Sequence, residues 1–319
     1  MSAGHKELTV VRSNPERVED ALSALLAAGP AASARFARQA EASRVSLERI
    51  WCLADEFGRY RLAVLAVPTL GRTAMLLASH PRSADEAAML GKAVDAAAEG
   101  CADACDIAQA LVDPMHPLDV AAFEAGGLVR LATLDYLERN LPRAGSLEPP
   151  TAPAGWSIEP VADASLLGGA DPAALGEERR AELIAVLEAS YRDTRDCPGL
   201  AGMRRTADVL DGHFGLGARP RHWFIARGAG GARGVCLVNG SADSQAAELV
   251  YLGLSPEARG KGVAQALLAK ALHACSCARV GVVSLAVDSL NEPAKRLYLA
   301  HGFRRVSSRV ALVRRLRTA

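Results

Sequence analysis

A chain of 319 residues is long for one compact core and comfortable for two domains of ordinary size. Half of it is apolar and 23% is charged, with the signs cancelling to +1, which describes a globular protein and excludes a disordered or fibrous one. The start, MSAGHKELTVV, carries charge where a secretory signal needs an apolar run, and nothing later reaches the ~18 uninterrupted apolar residues of a membrane span. A cytoplasmic protein without a membrane partner is expected.

In chain order, apolar periodicity predicts a strand over residues 7–12, helices over 15–28 and 31–42, and strands over 50–54, 60–67 and 73–79. A helix over 84–99, a strand over 106–112, a helix over 118–125 and a strand over 129–138 follow. Residues 142–155 (PRAGSLEPPTAPAG) have little to bury and read as a linker, with domains of 1–145 and 156–319 on either side of 146–155. The second half repeats the order: strand 156–161, helices 177–191 and 202–213, strands 223–227, 234–239 and 248–254, helix 261–274, strand 281–287, helix 293–301 and a last strand. Each half is therefore β-α-α-β-β-β-α-β-α-β, an α/β chain with mixed sheets.

A constant offset of 175 pairs Pro256 with Pro81, Val287 and Asp288 with Val112 and Asp113, Gly302 with Gly127, Arg305 with Arg130 and Leu316 with Leu141. The chain thus reads as a tandem duplication. Arg304, Arg305, Arg309, Arg314, Arg315 and Arg317 near the end fit the solvated face of an alternating strand, so no nucleic-acid partner is expected.

Seven cysteines is an odd number for a disulfide framework, and Cys52, Cys197 and Cys236 stand alone among apolar neighbours, as reduced core thiols do. His273, Cys275 and Cys277 cluster without a second ligand pair at a zinc spacing, and the same holds for Cys101 and Cys105. No metal is expected.

The chemistry concentrates in the second half, where the strand ending at Pro256 is followed by Glu257-Ala-Arg259-Gly260-Lys261-Gly262-Val263-Ala264 and an amphipathic helix. Two glycines let the backbone approach a ligand, and the first amides of the helix point outward at the positive end of its dipole. Such a turn suits a phosphate. A dinucleotide fingerprint needs a third glycine where Gln265 stands, and a P-loop needs a Gly-Lys-Ser or Gly-Lys-Thr end that is missing.

With the next segment added, the sequence resembles the GNAT superfamily of acyl-CoA N-acyltransferases. Arg259-x-x-Gly262-x-Ala264 matches that family's pyrophosphate motif, and Asn291, Tyr298 and Gly302-Phe303 match its second signature. The resemblance covers about 160 residues of the second half. The tandem layout and Glu248, eight residues before Pro256, are similar to those of the mycothiol synthases. The resemblance implies two tandem GNAT-like domains and an acetyl group moved from acetyl-CoA to the primary amine of a small molecule, peptide or protein. It also implies that backbone groups of Leu252, Gly253 and Leu254 hold the pantetheine arm and thioester. Arg259, Gly260, Lys261, Gly262, Val263 and Ala264 would surround the pyrophosphate, with Asn291 beside the pantetheine.

Tyr298 is the candidate acid for the departing thiolate, since a phenol near pKa 10 against a thiol near 8.5 leaves a deficit of only about 2 kcal/mol. Glu248 is the candidate base, directly or through a water. Plainer roles exist for each: Asn291 as a helix N-cap, Tyr298 as a core aromatic, Glu248 as a surface carboxylate. Tyr191, Asp193, Thr194 and Asp196, between the first two helices, are candidates to hold the acceptor. The rival function is a non-catalytic acetyl-CoA-binding or scaffold protein.

The offset turns Arg259 into Ala84, Gly260 into Asp85, Gly262 into Ala87, Glu248 into Thr73, Asn291 into His116 and Tyr298 into Phe123. Asp85 and Glu86 would repel a pyrophosphate, so the first half is expected to be a degenerate copy, with His116 a turn residue beside Pro114 and Pro117.

Overall fold

The computed structural model describes residues 8–43, 45–142, 147–161, 175–214, 219–240 and 245–316. The chain forms two compact units, Met1–Ala132 with Arg309–Ala319, and Thr133–Ser308.

In the first unit, β1 (Thr9–Arg12) leads through a short 3-10 turn into α1 (Val18–Leu26) and α2 (Pro30–Ala42), then β2 (Ile50–Ala54), β3 (Tyr60–Pro68) and β4 (Thr73–Ala78). Next come α3 (Ala84–Glu99), β5 (Ile107–Val112), α4 (Pro117–Ala125) and β6 (Val129–Asn140). Strands β1 to β5 lie in sequence order, antiparallel except for a short parallel pairing of β4 with β5 over Thr73–Met75. All five residues of β2 are buried because both faces are covered. Ile50 and Cys52 face a core with α1, whereas Trp51 and Leu53 face one with α3, as the period of two along a strand requires.

The second unit repeats the plan with β7 (Ser157–Pro160), α5 (Glu177–Tyr191), α6 (Thr206–Gly212), β8 (Arg219–Gly228), β9 (Gly231–Gly240) and β10 (Ala246–Leu254). It continues with α7 (Val263–Cys277), β11 (Val282–Asp288), α8 (Glu292–Ala300) and β12 (Arg304–Arg315). Trp223, Ile225, Val235 and Leu237 pack with α5 and α6 on one face, and Phe224, Ala226, Cys236 and Val238 pack with α7 and α8 on the other. The offset of 175 maps α4 onto α8 and β6 onto β12 residue for residue. The predicted helix over 202–213 is shorter, starting at Thr206, since Gly202 takes a positive φ of 70° that stops a helix. The predicted helix from Lys261 starts at Val263.

The expected division at 146–155 is not the one the packing makes, because the halves exchange their final strands. Leu134–Asn140 of β6 pairs antiparallel with β11, and Leu137 enters the second unit's core. Val310–Arg315 of β12 pairs antiparallel with β5, and Val310 and Leu312 enter the first unit's core. The predicted linker runs within the second unit, where Leu147 accepts a hydrogen bond from His273 through its carbonyl and packs against the core; residues 143–146 lie outside the described residues.

The C-terminal arginines pair with acids of their own unit: Arg305 with Asp135, Arg309 with Asp113, and Arg314 with Asp95 and Glu99. Arg317 lies outside the described residues. All seven cysteines are free. No helix among the described residues is long and apolar enough to cross a membrane.

Candidate functional site

The second unit contains a cleft made by a failure of pairing. Strand β10 runs beside β9 as far as Leu254, but pairs with β11 only over Ala246–Leu249. A bulge between Leu249 and Tyr251 turns the strand at that point, and from there its edge toward β11 has no strand partner. The resulting cavity, about 980 Å³, is lined on the β10 side by Tyr251, Leu252, Gly253 and Leu254. Asn291, Ala294, Leu297 and Tyr298 of α8 form the opposite wall.

The glycine turn closes one end. Gly260 and Gly262 have φ of 72° and 75°, a region that costs other residues about 1–2 kcal/mol, and a Cβ on Gly260 would meet nothing within 4 Å. Gly262 is the N-cap of α7, and no side chain caps that helix, so its first amides are left to an outside acceptor. Val263 and Ala264 line the cavity with Gly260 and Gly262, whereas Lys261 stands exposed outside the lining.

Arg259 lines the cavity, and its guanidinium is spent on carbonyl oxygens: Ser190 at 3.1 Å, Arg192 at 2.6 Å, Asp193 at 3.3 Å and Leu254 at 3.2 Å. Carbonyls at the end of a helix have no internal partner, so Arg259 ties the end of α5 to the end of β10. Arg192 and Glu257 add a two-pronged ion pair between the same segments, at 2.9 and 3.1 Å.

Asn291 both lines the cleft and caps α8, accepting from the Ala294 amide at 3.3 Å. Asp193, Thr194 and Asp196 line the cavity, whereas Tyr191 lies behind it, its ring edge-on to Tyr251 at 6.0 Å. Asp196 opens to the cleft, yet the protein around it limits its hydration and, with the charge of Asp288 nearby, raises its carboxyl above the ordinary range.

Tyr298 belongs to both the cleft wall and the core beneath it, with Phe303 edge-on at 5.8 Å. Burial above all, then the neighbouring Asp196, pushes its phenol up, so it keeps its proton through the neutral range. Glu248 is outside the cavity lining. It stands exposed next to the last residue of the β10–β11 pairing, and the protein packed around it raises its carboxyl.

Sequence reasoning missed the pair of Ser190 and Tyr251, whose hydroxyls meet at 2.6 Å inside the lining. A Cβ on Gly253 would lie 2.6 Å from the Tyr251 hydroxyl and 2.8 Å from Ser190 Oγ, so glycine there makes room for the pair. The only sequence signal was one tyrosine in the apolar stretch of β10 after Glu248. Cys197 adjoins the site, but burial pushes its thiol up to about 12, far from a nucleophile's range. In the His273 cluster, Cys277 Sγ lies 3.5 Å from His273 Nε2, while Cys275 is turned into the core.

At the matching place in the first unit, β4 and β5 part in the same way after Met75. Here the helix start is closed: Ser83 Oγ accepts from the Glu86 amide at 3.2 Å, and the Glu86 carboxylate accepts from the Arg82 amide at 2.7 Å. Thr73 donates to the Gly71 carbonyl, and Phe123 is buried.

Residues 183–303 match the model of the acetyltransferase (GNAT) family. A GCN5-related N-acetyltransferase from Sphaerobacter thermophilus has a similar structure, with 16% identity over 98% of this chain and 96% of that one and a TM-score of 0.59. A tandem GNAT protein from the clavulanic acid biosynthesis pathway gives 18% identity, 98% and 100% coverage and a TM-score of 0.55. The GCN5-related glucosamine N-acetyltransferase region of a fungal multi-domain β-N-acetylglucosaminidase gives 13% identity over 97% of this chain and 38% of that one, with a TM-score of 0.56. A comparison with curated proteins gave no match. Residues 183–303 are thus a domain of the acetyltransferase (GNAT) family, in a chain with the fold of tandem GNAT proteins.

Proposed function

We propose that the second unit transfers an acetyl group from acetyl-CoA to a primary amine, and that the first unit is a degenerate copy without transfer chemistry. The observation that carries this is the uncapped start of α7, opening at one end of the cleft whose far wall is Tyr298. A volume of about 980 Å³ falls in the range that takes a whole ligand of cofactor size.

Acetyl-CoA would supply a thioester, an acyl donor with a good leaving group. The amides from Gly260 to Ala264 bind its phosphates through the helix dipole, without a positively charged side chain, since the Arg259 guanidinium is already engaged. Unpaired backbone groups from Leu252 to Leu254 align the pantetheine arm in the manner of an added strand. Tyr298 gives its proton to the leaving sulfur. Its raised pKa is matched in part by the sulfur, because a thiolate forming in the same dry surroundings is penalised too. Glu248 receives the amine's proton through a water, and its raised carboxyl brings its affinity for protons closer to neutrality.

The acceptor enters beside Asp193, Thr194 and Asp196. The carboxylates favour an ammonium group in the encounter, and the amine loses its proton before attack. In the first unit the equivalent helix start spends the Glu86 amide on Ser83 and carries Asp85 and Glu86, which supports the reading of a lost phosphate site.

Calorimetric titration of the full chain with acetyl-CoA, beside Gly262→Glu, tests the reading. One site per chain, lost in the variant, is expected; two sites overturn the degeneracy of the first unit, and no binding overturns the transferase.

A further inference from the structure

The first unit holds a side-chain cluster that acyl transfer does not use. His80 follows β4, His116 is the N-cap of α4, and Asp119 sits in that helix's first turn. One ligand atom from each lies within 4.8 Å of the others, the one such group among the described residues. His80 Nδ1 and Asp119 Oδ2 are 2.5 Å apart, and the two imidazole rings face each other at 5.2 Å with a tilt of 35°.

The setting of Asp119 is unusual. Other buried acids here have permanent partners: Asp135 has Lys295 and Arg305, Asp208 has Arg205, and Asp288 accepts from the amides of Cys197 and Leu290. Asp119 is 9% exposed, and the partner its carboxylate meets is the His80 imidazole. A divalent cation seated among the three would answer the carboxylate's charge and take a nitrogen from each imidazole.

The donor set selects the ion. Two imidazole nitrogens and one carboxylate oxygen suit zinc and its first-row neighbours, and suit calcium or magnesium poorly. The donors come from the residue two places after β4 and from the start of α4. The offset of 175 places His116 on Asn291 and Asp119 on Ala294, two residues that line the cleft of the second unit. The first unit thus carries nitrogen and oxygen ligands where the second faces its ligand.

We propose that the first unit binds one divalent transition-metal ion, of the zinc class, through His80, His116 and Asp119. The ion replaces the His80–Asp119 hydrogen bond, with an imidazole lone pair and the carboxylate turned to the metal. Because both histidines are exposed, water completes the shell and the site stays open.

The test uses the full chain, stripped with a chelator that is then removed, and titrated with zinc chloride by calorimetry and with cobalt chloride by visible absorption. One equivalent of zinc and a rise in Tm are expected, both lost in His116→Ala and in Asp119→Asn. Both should persist in the double variant His273→Ala/Cys277→Ser, which removes the His273–Cys277 pair as a competing ligand set. The cobalt form should show visible bands without a thiolate charge-transfer band. His116 is exposed, so an unchanged apo Tm in His116→Ala separates lost binding from lost folding even where Asp119→Asn unfolds. The proposal is overturned by three results: no zinc bound by the natural chain, binding retained in His116→Ala, or binding lost with His273 and Cys277 under a thiolate band.

Discussion

Asp196 and Asp288 each accept a hydrogen bond from the other's loop: Asp196 Oδ1 from the Asp288 amide at 3.1 Å, and Asp288 Oδ2 from the Cys197 amide at 3.2 Å. Two acids that repel by charge are held together because each satisfies a backbone donor. The latch joins the segment after α5 to the start of α8, the two walls between which the acceptor is proposed to enter. In Asp288→Ala the amides of Cys197 and Leu290 lose their acceptors, at about 1–3 kcal/mol for each one left buried. A lower urea midpoint and a raised KM for the amine are expected, with acetyl-CoA affinity nearly unchanged. An unaltered KM would separate the latch from the acceptor.

Arg259 reads in sequence as a phosphate ligand and in structure as a tie between α5 and β10. In Arg259→Gln four carbonyls lose their charged donor, so stability should fall by about 1–3 kcal/mol even without acetyl-CoA. Thermal unfolding of the apo protein measures this. A variant as stable as the parent but weak in binding at low salt would return Arg259 to the phosphate.

Tyr298→Phe removes a hydroxyl and keeps the ring against Phe303. Turnover should fall by about 10²–10⁴-fold, the usual contribution of a positioned acid, while acetyl-CoA affinity and Tm hold. Because burial raises the phenol, the proposed transfer by the natural protein should show no alkaline loss from this residue near neutrality. Stopped thiol release across pH would record both, and full turnover in the variant would remove Tyr298 from the chemistry.

Glu248→Gln tests the base. A carboxyl with a raised pKa works as a base only above that pKa, so the acid limb of kcat/KM should sit above the ordinary carboxylate range and vanish in the variant. The same acid limb in both proteins would assign it to another group, with Asp196 next in line.

His213 links folding to pH. Its Nε2 is buried without a hydrogen bond, and desolvation first, then Arg204, lowers its pKa from 6.5 to about 4. The folded state favours the neutral ring, so this stabilisation is complete above pH 6.5 and is lost as pH falls through 4. The shift corresponds to as much as about 3 kcal/mol. Urea midpoints measured from pH 7 to pH 4 should fall less steeply in His213→Gln than in the parent.

Local chemistry made much of this protein legible from its sequence. Helices 84–99 and 177–191 and strand 50–54 follow from apolar periodicity, and their observed limits agree because the buried faces are continuous. The duplication was readable at its end, where α4, α8, β6 and β12 keep the offset, whereas α3 and α7 start at Ala84 and Val263 and so depart from it. The glycine turn stood out because positive φ at Gly260 and Gly262 demands a residue type that spacing reveals.

Tertiary structure alone decided the rest. The halves exchange β6 and β12, and no pattern announces it: the strands have equal length, and the partner is chosen by register and by which core receives Leu137 or Leu312. The engaged guanidinium of Arg259, the Ser190–Tyr251 pair and the meeting of His80 with Asp119 join residues 69, 61 and 39 positions apart. Contacts of that span are set by how the sheet twists and where its strands part, which periodicity along the chain does not encode.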